Sequence, residues 1–243
     1  MSVPLINDDD LESGKDDIEN DFAYRNNVQE ASVKIRLAFL KKVYTLLSIQ
    51  LLTTTLFGFV LLYWPSGKLF VQKNDWMILL AFILSLLTLV ALHFKRREYP
   101  INFFLLAGFT VVQAYAVGVV VTYFDKVLVL QALLLTVSVV AGLTAYTFQT
   151  KRDFSSLGLV LFPLLCVLLI GGIVQLFFQN SIFELVLSIS GAFIFCLFII
   201  YDTQNIMKRV SPEEYILATI ELYLDIVNLF LELLRILEAV RRG

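Results

Sequence analysis

Histidine is nearly missing from this chain of 243 residues: His93 stands alone. That leaves little basis for histidine metal sites or for Ser–His and Cys–His nucleophilic pairs. Cysteine is scarce as well. Cys166 and Cys196 both fall inside apolar runs, with neither disulfide-framework nor metal-site spacing. Charged residues make up only 16% of the chain, against roughly a quarter in an average soluble domain. Ladders of short alternating strands are absent, which excludes an outer-membrane-type barrel. No nucleic acid partner, no enzyme activity and no cofactor are expected.

Apolar residues fill the space that charge leaves. They form 58% of the sequence, and the mean hydropathy is +0.80. They come in blocks of roughly 20, the length that crosses a bilayer as a helix. The blocks run 41–64, 76–94, 101–123, 128–148, 157–178, 183–203 and 214–236. The fold class is therefore an all-α polytopic membrane protein of seven transmembrane helices, residues 34–243, with the lipid bilayer as its first partner. Short connections predict that neighbouring segments pack as antiparallel hairpins. Ahead of the domain, residues 1–33 read as an acidic, disordered cytosolic tail. Its first 30 residues hold nine acids and only Lys15 and Arg25. Without a basic start it is not expected to be a cleaved signal peptide.

Basic residues in short loops orient such a protein. With the N-terminus cytosolic, Lys34, Arg36, Lys41, Lys42, Lys95, Arg96, Arg97, Lys151, Arg152, Lys208 and Arg209 lie on the cytosolic side. Lys68, Lys73 and Lys126 alone lie opposite. Seven full spans place Arg241 and Arg242 on the far side; a last segment that re-enters and returns is the alternative. Small residues mark expected close helix contacts: Gly108, Gly118, Gly171, Gly172, Ser188, Ser190, Gly191 and Ala192.

The last segment contains "IELYLDIVNLFLELLRIL", Ile220 to Leu237. At 100° per residue, Glu221, Asp225, Asn228, Glu232 and Arg235 fall within an arc of about 80°. The remaining faces are Leu, Ile, Val and Phe. One polar stripe on a greasy helix suits a central position facing an interior cavity. An acid at mid-membrane costs about 2.5–3.5 kcal/mol by insertion scales, so each one needs a partner, water or a proton. Glu232 and Arg235 can pair at i,i+3. Asp225, about 15 Å along the helix, has no local base.

Asp202 closes the preceding segment in "FIIYDTQNIM". The turn "VSPEEY" then offers Ser211 as N-cap, Pro212 at the first helical position and Glu214 three residues on, a capping-box start. Asp202 and Asp225 thus flank one helical hairpin. Upright helices would leave them at heights differing by about 9 Å, so pairing needs tilt or early unwinding after Asp202. If they meet, they would hold one proton between them, and losing it would separate the helices or admit a cation. Oxygen ligands of this kind suit Ca²⁺ as a transient, permeant ion. The alternative is a separate structural hydrogen bond for each acid. Lys95, Arg96 and Arg97 are an anchor at the cytosolic end of the second span, or a latch in which one of them reaches a carboxylate of the hairpin.

"FIIYDTQNIM", then "SPEEYILATIELYLDIVNLFLELLRILEAV", with "IRLAFLKKVY" and "YTFQTKRDFSSLG" upstream, resembles the transmembrane Bax inhibitor motif family, in particular its Lifeguard branch. The resemblance covers about residues 30–240. It implies a seven-helix fold with a central last helix, residence in Golgi and endoplasmic reticulum membranes, suppression of apoptosis, and a passive Ca²⁺ leak that lowers store content. It implies further that Asp202 and Asp225 form a pH-sensing pair, latched by an arginine whose counterpart lies within Lys95–Arg96–Arg97. A lysine there would lack the bidentate fork.

The expected function is thus a Ca²⁺-permeable leak channel gated by protons at the two aspartates. The alternative is a non-transporting regulator of cell death that binds other membrane or cell-death proteins. An intramembrane aspartyl protease also places two acids on adjacent helices, but Asp225 follows "LYL" rather than a Gly-containing loop, and no "PAL" element occurs.

Overall fold

A chain segment in hydrocarbon has to satisfy its own backbone, and a helix does so turn by turn. The computed structural model describes residues 33–74 and 76–242, and the long apolar runs within them are helical. The order is α1 (Val33–Tyr63), α2 (Pro65–Lys73), α3 (Trp76–Lys95), α4 (Ile101–Val121), α5 (Lys126–Gln149), α6 (Leu157–Phe178), α7 (Ser181–Lys208), a 3₁₀ turn (Pro212–Glu214) and α8 (Tyr215–Arg242). The acidic tail expected over residues 1–33 lies outside the described residues, apart from Val33.

Six of these helices, α1 and α3 to α7, are long and apolar enough to cross a membrane. The sequence reading expects seven. α8 is as long as α7, 28 residues, but Glu221, Asp225, Glu232 and Arg235 take it out of the apolar class. The short α2, opened by Pro65 at its first position, is an element that hydropathy did not reveal.

Helix starts are capped at two places where the sequence supplies an acceptor. Asp125 accepts from the Val127 N–H at 2.8 Å, and Asn180 accepts from Ile182 and Phe183 at 3.0 Å each. The capping box read into Ser211 and Glu214 does not form. The Ser211 side chain caps nothing, a 3₁₀ turn precedes α8, and the Glu214 carboxylate is drawn to arginines instead.

α8 is the axis of the bundle. It packs along α7 and also against α5, α1 and, more lightly, α4. Tyr223, Leu222, Leu229 and Leu234 on it are essentially inaccessible. It is one unbroken helix about 42 Å long, and it does not fold back. Near its far end Arg241 meets Asp125, in the α4–α5 connection, at 3.0 Å.

Chain order and packing order differ. α3 with α4, α6 with α7, and α7 with α8 are the hairpins expected from short connections. α4 and α5 are joined by only four residues yet do not pack along each other, and neither do α5 and α6. α5 instead lies on α7 and α8, and α4 on α1 and α3. α8 is the common element: α1 and α5 both turn an inner face to it.

Side-chain hydrogen bonds join helices where lipid gives no hydrophobic drive. The Thr54 and Tyr223 hydroxyls are 2.7 Å apart, Gln50 Nε2 donates to Thr110 Oγ1 at 3.0 Å, and Gln113 Nε2 donates to Ser85 Oγ at 2.8 Å. The glycines divide. A Cβ on Gly118 would come within 2.8 Å of the Phe57 ring, so α1 and α4 approach there only because it is absent; Gly171 touches Leu187, and Gly191 touches Glu232. Gly108 and Gly172, also expected at contacts, face open space, and Ser190 is exposed.

Gly118→Val is therefore expected to destabilise the detergent-solubilised protein by about 1–3 kcal/mol, the usual overpacking cost. Gly108→Val is expected to leave the thermal midpoint unchanged. Equal shifts for the two in a thermal melt would contradict this account of the α1–α4 contact.

Candidate functional site

α7 carries Asp202 and α8 carries Asp225 into the same buried layer, at 8% and 7% exposure. Their carboxyl groups come within side-chain hydrogen-bonding reach of each other, and the Asn205 side chain also reaches Asp202. Asp225 Oδ2 is buried and has no donor. Among the described residues neither acid has a basic group at ion-pair distance. α7 stays helical to Lys208. Unwinding after Asp202 is thus not what brings the two acids level. Two ionised carboxylates in contact away from water repel strongly, so the arrangement calls for one proton or one cation between them.

Among the described residues no three His, Cys, Asp or Glu side chains converge on one point. Two carboxylates alone suit at most a passing ion.

Outside the pair lies a ring of charge. Glu221 is exposed, one turn before Asp225. Glu214 meets Arg96 at 3.1 Å and Arg97 at 3.2 Å, and Glu213 meets Arg97 at 3.5 Å. Two of the three candidate latch residues thus reach carboxylates of the α7–α8 hairpin, but at its turn and not at the aspartates. Lys95 does not take part; Glu98 holds it at 2.7 Å. The proximity of three bases did not decide which carboxylate each would meet. The 3₁₀ turn does, by presenting Glu213 and Glu214 towards the α3–α4 connection. Lys42 completes the ring, its Nζ 3.4 Å from the centre of the Tyr215 ring.

The polar stripe of α8 breaks into parts. Asn228 is satisfied by its own helix, donating to the Leu224 carbonyl at 2.8 Å. Glu232 is buried and sits on the gap left by Gly191, beside Ser188, with Arg235 Nη1 at 3.3 Å. The Glu232–Arg235 pair anticipated from i,i+3 spacing is present, far along the helix from Asp225.

Residues that carried no role in the sequence reading support the pair. Gln204, two positions after Asp202, donates to the Arg152 carbonyl at 2.7 Å and accepts from the Phe154 N–H at 2.6 Å. It staples the α5–α6 connection to α7. Asp153 in that connection lies 3.3 Å from Arg209. The Ser155 N–H, the Ser155 hydroxyl and the nearby Arg209 hold its carboxyl below the ordinary range. The signal for Gln204 was its place in "YDTQ"; its partners are backbone atoms, which no side-chain pattern advertises.

Comparison with known proteins bears on this constellation. Residues 36–242 match the family described as Inhibitor of apoptosis-promoting Bax1. The chain is 48% identical to Protein lifeguard 4 of Mus musculus over 225 residues, 93% of this chain and 94% of that protein. It is 47% identical to the Golgi anti-apoptotic protein of Vaccinia virus (strain Lister) over 221 residues, 91% and 93% of the two chains. Bax inhibitor 1 of Schizosaccharomyces pombe is 39% identical over 211 residues, 86% and 79%. Likeness of that extent covers the hairpin with both aspartates, and the chain belongs to the Bax inhibitor family.

Proposed function

We propose that this protein is a proton-gated Ca²⁺ leak of Golgi and endoplasmic reticulum membranes that lowers store content and so opposes apoptosis. Seven crossings, with α8 as the last and the N-terminus cytosolic, are part of the proposal. The observation that carries it is the contact of Asp202 with Asp225, away from any base, with one oxygen of Asp225 left without a donor. A shared proton clamps α7 to α8 and closes the path. Its loss leaves adjacent negative charges, which separate the helices or accept a hard, oxygen-seeking cation such as Ca²⁺. Arg96 and Arg97 on Glu213 and Glu214 act one level outside as a latch on the hairpin. The names of the viral relative, a Golgi anti-apoptotic protein, and of Bax inhibitor 1 support the cellular half of the reading.

Flux through proteoliposomes tests the channel. Ca²⁺ efflux through the wild type is expected to rise with pH as the shared proton leaves, and in Asp202→Asn and Asp225→Asn to lose that slope. An unchanged pH profile in the double Asn variant would sink the gate. No flux at all would favour the other reading, a regulator that acts only by binding membrane or cell-death proteins.

Glu214→Gln removes the acceptor shared by Arg96 and Arg97. Part-exposed pairs of this kind contribute about 0–1 kcal/mol each, so with both lost the leak at fixed pH is expected to rise, by at most about thirtyfold. Lys95→Gln is expected to change nothing. The same assay compares the two.

A further inference from the structure

A cavity of about 560 Å³ runs between α1 and α5, floored by Ile226, Val227 and Phe230 of α8. It does not reach the aspartates. Its length on α5, from Val129 to Phe148, is about 28 Å, close to the thickness of a bilayer's hydrocarbon layer of about 30 Å. α1 and α5 face each other across it without packing. Ala141 and Ala145 on α5 and Gly58 on α1 are small residues of the kind that brings helices together, yet here they line a gap.

Its wall is mostly apolar. The Thr54 and Thr136 hydroxyls are spent on carbonyls of their own helices, Gln50 at 2.9 Å and Ala132 at 2.7 Å. Tyr44, Thr55 and Thr144 are the other hydroxyl-bearing residues of a lining that otherwise favours hydrocarbon over water. The flanks of the gap, among them Leu52 and Leu56 on α1 and Leu134 and Val137 on α5, are exposed and apolar, so the cavity is continuous with the lipid-facing surface.

The two ends differ. At one, the Tyr44 and Phe148 rings stand 6.0 Å apart and close the cavity. At the other, Lys126, one turn before the lining residue Val129, lies with its Nζ 4.4 Å from the centre of the Tyr63 ring. Lys126 is exposed, and no carboxylate among the described residues pairs with it; its neighbour Asp125 is engaged by Arg241. Tyr63 and Trp64 beside it are exposed aromatics at a helix end, the composition of a membrane interface.

We infer that the α1–α5 cavity is a phospholipid site, with the acyl chains between the helices and the headgroup phosphate on Lys126. Hydrocarbon supplies the packing that α1 and α5 do not give each other, and the lysine supplies a charge at headgroup depth. The chains lie on the face of α8 that carries Ile226 and Val227, the two residues after Asp225. The site is independent of whether the protein conducts ions.

Native mass spectrometry of the full chain in detergent, titrated with palmitoyl-oleoyl phosphatidylglycerol or phosphatidylcholine, tests it. The wild type is expected to keep one phospholipid after annular lipid has been stripped, phosphatidylglycerol in preference. Ala141→Trp, which fills the cavity, is expected to lose it, whereas Leu86→Trp on the outer face of α3 keeps it. Lys126→Gln is expected to lose the headgroup preference. Should Ala141→Trp not fold, a photoactivatable acyl chain in the wild type gives the second measurement, with labels expected on residues 51–59 and 137–145. Retention in Ala141→Trp, equal loss in Leu86→Trp, labels spread over all lipid-facing helices, or a second copy of the chain in place of lipid would each overturn the assignment.

Discussion

Two carboxyl groups pressed against each other inside a helix bundle, with no cation beside them, constrain everything around them. Neither Asp202 nor Asp225 has a lysine or arginine beside it; of the nearby bases, Arg96 and Arg97 serve the hairpin turn, Lys95 serves Glu98, and Lys42 lies on the Tyr215 ring. What remains is a proton or a passing ion. The free oxygen of Asp225 makes the site a place of unsatisfied demand.

The helix that bears this demand is the one the fold is built around. α8 is too charged to be stable against lipid, so α7, α5 and α1 enclose it, and that enclosure sets the packing order of the whole bundle. Centrality and charge are one fact: a helix with four ionisable residues within four turns is tolerated in a membrane only if other helices stand between it and the lipid. α6, with Leu161 and Leu168 as its buried residues, shows the opposite case. It is the most apolar segment and the least enclosed.

The hairpin turn and the lateral cavity bear on the pair from opposite sides. Glu213 and Glu214 tie the start of α8 to the α3–α4 connection. On the other flank, Thr54 holds Tyr223 at 2.7 Å beside the cavity, two residues before Asp225. Tyr223 is two residues from Asp225, and Glu214 is 11 residues before it, just over three helical turns.

Much of this was legible in the residues. The apolar blocks gave the helices, and the 100° arithmetic placed Asp225 and Glu232 on one face of a buried axis. "YDTQ" and "LYLD" pointed to the pair and to the family. Those signals are local: they depend on composition and period, which survive without knowledge of neighbours. Tertiary structure alone decided the rest. It showed that α4 leaves its sequence neighbour α5, that Gly118 is a contact and Gly108 is not, that Glu214 serves two arginines instead of a cap, and that Gln204 reads the backbone of residues 152–154. Each of these turns on which surface a helix meets across a long stretch of chain, and spacing along one helix carries no information about the distance to another.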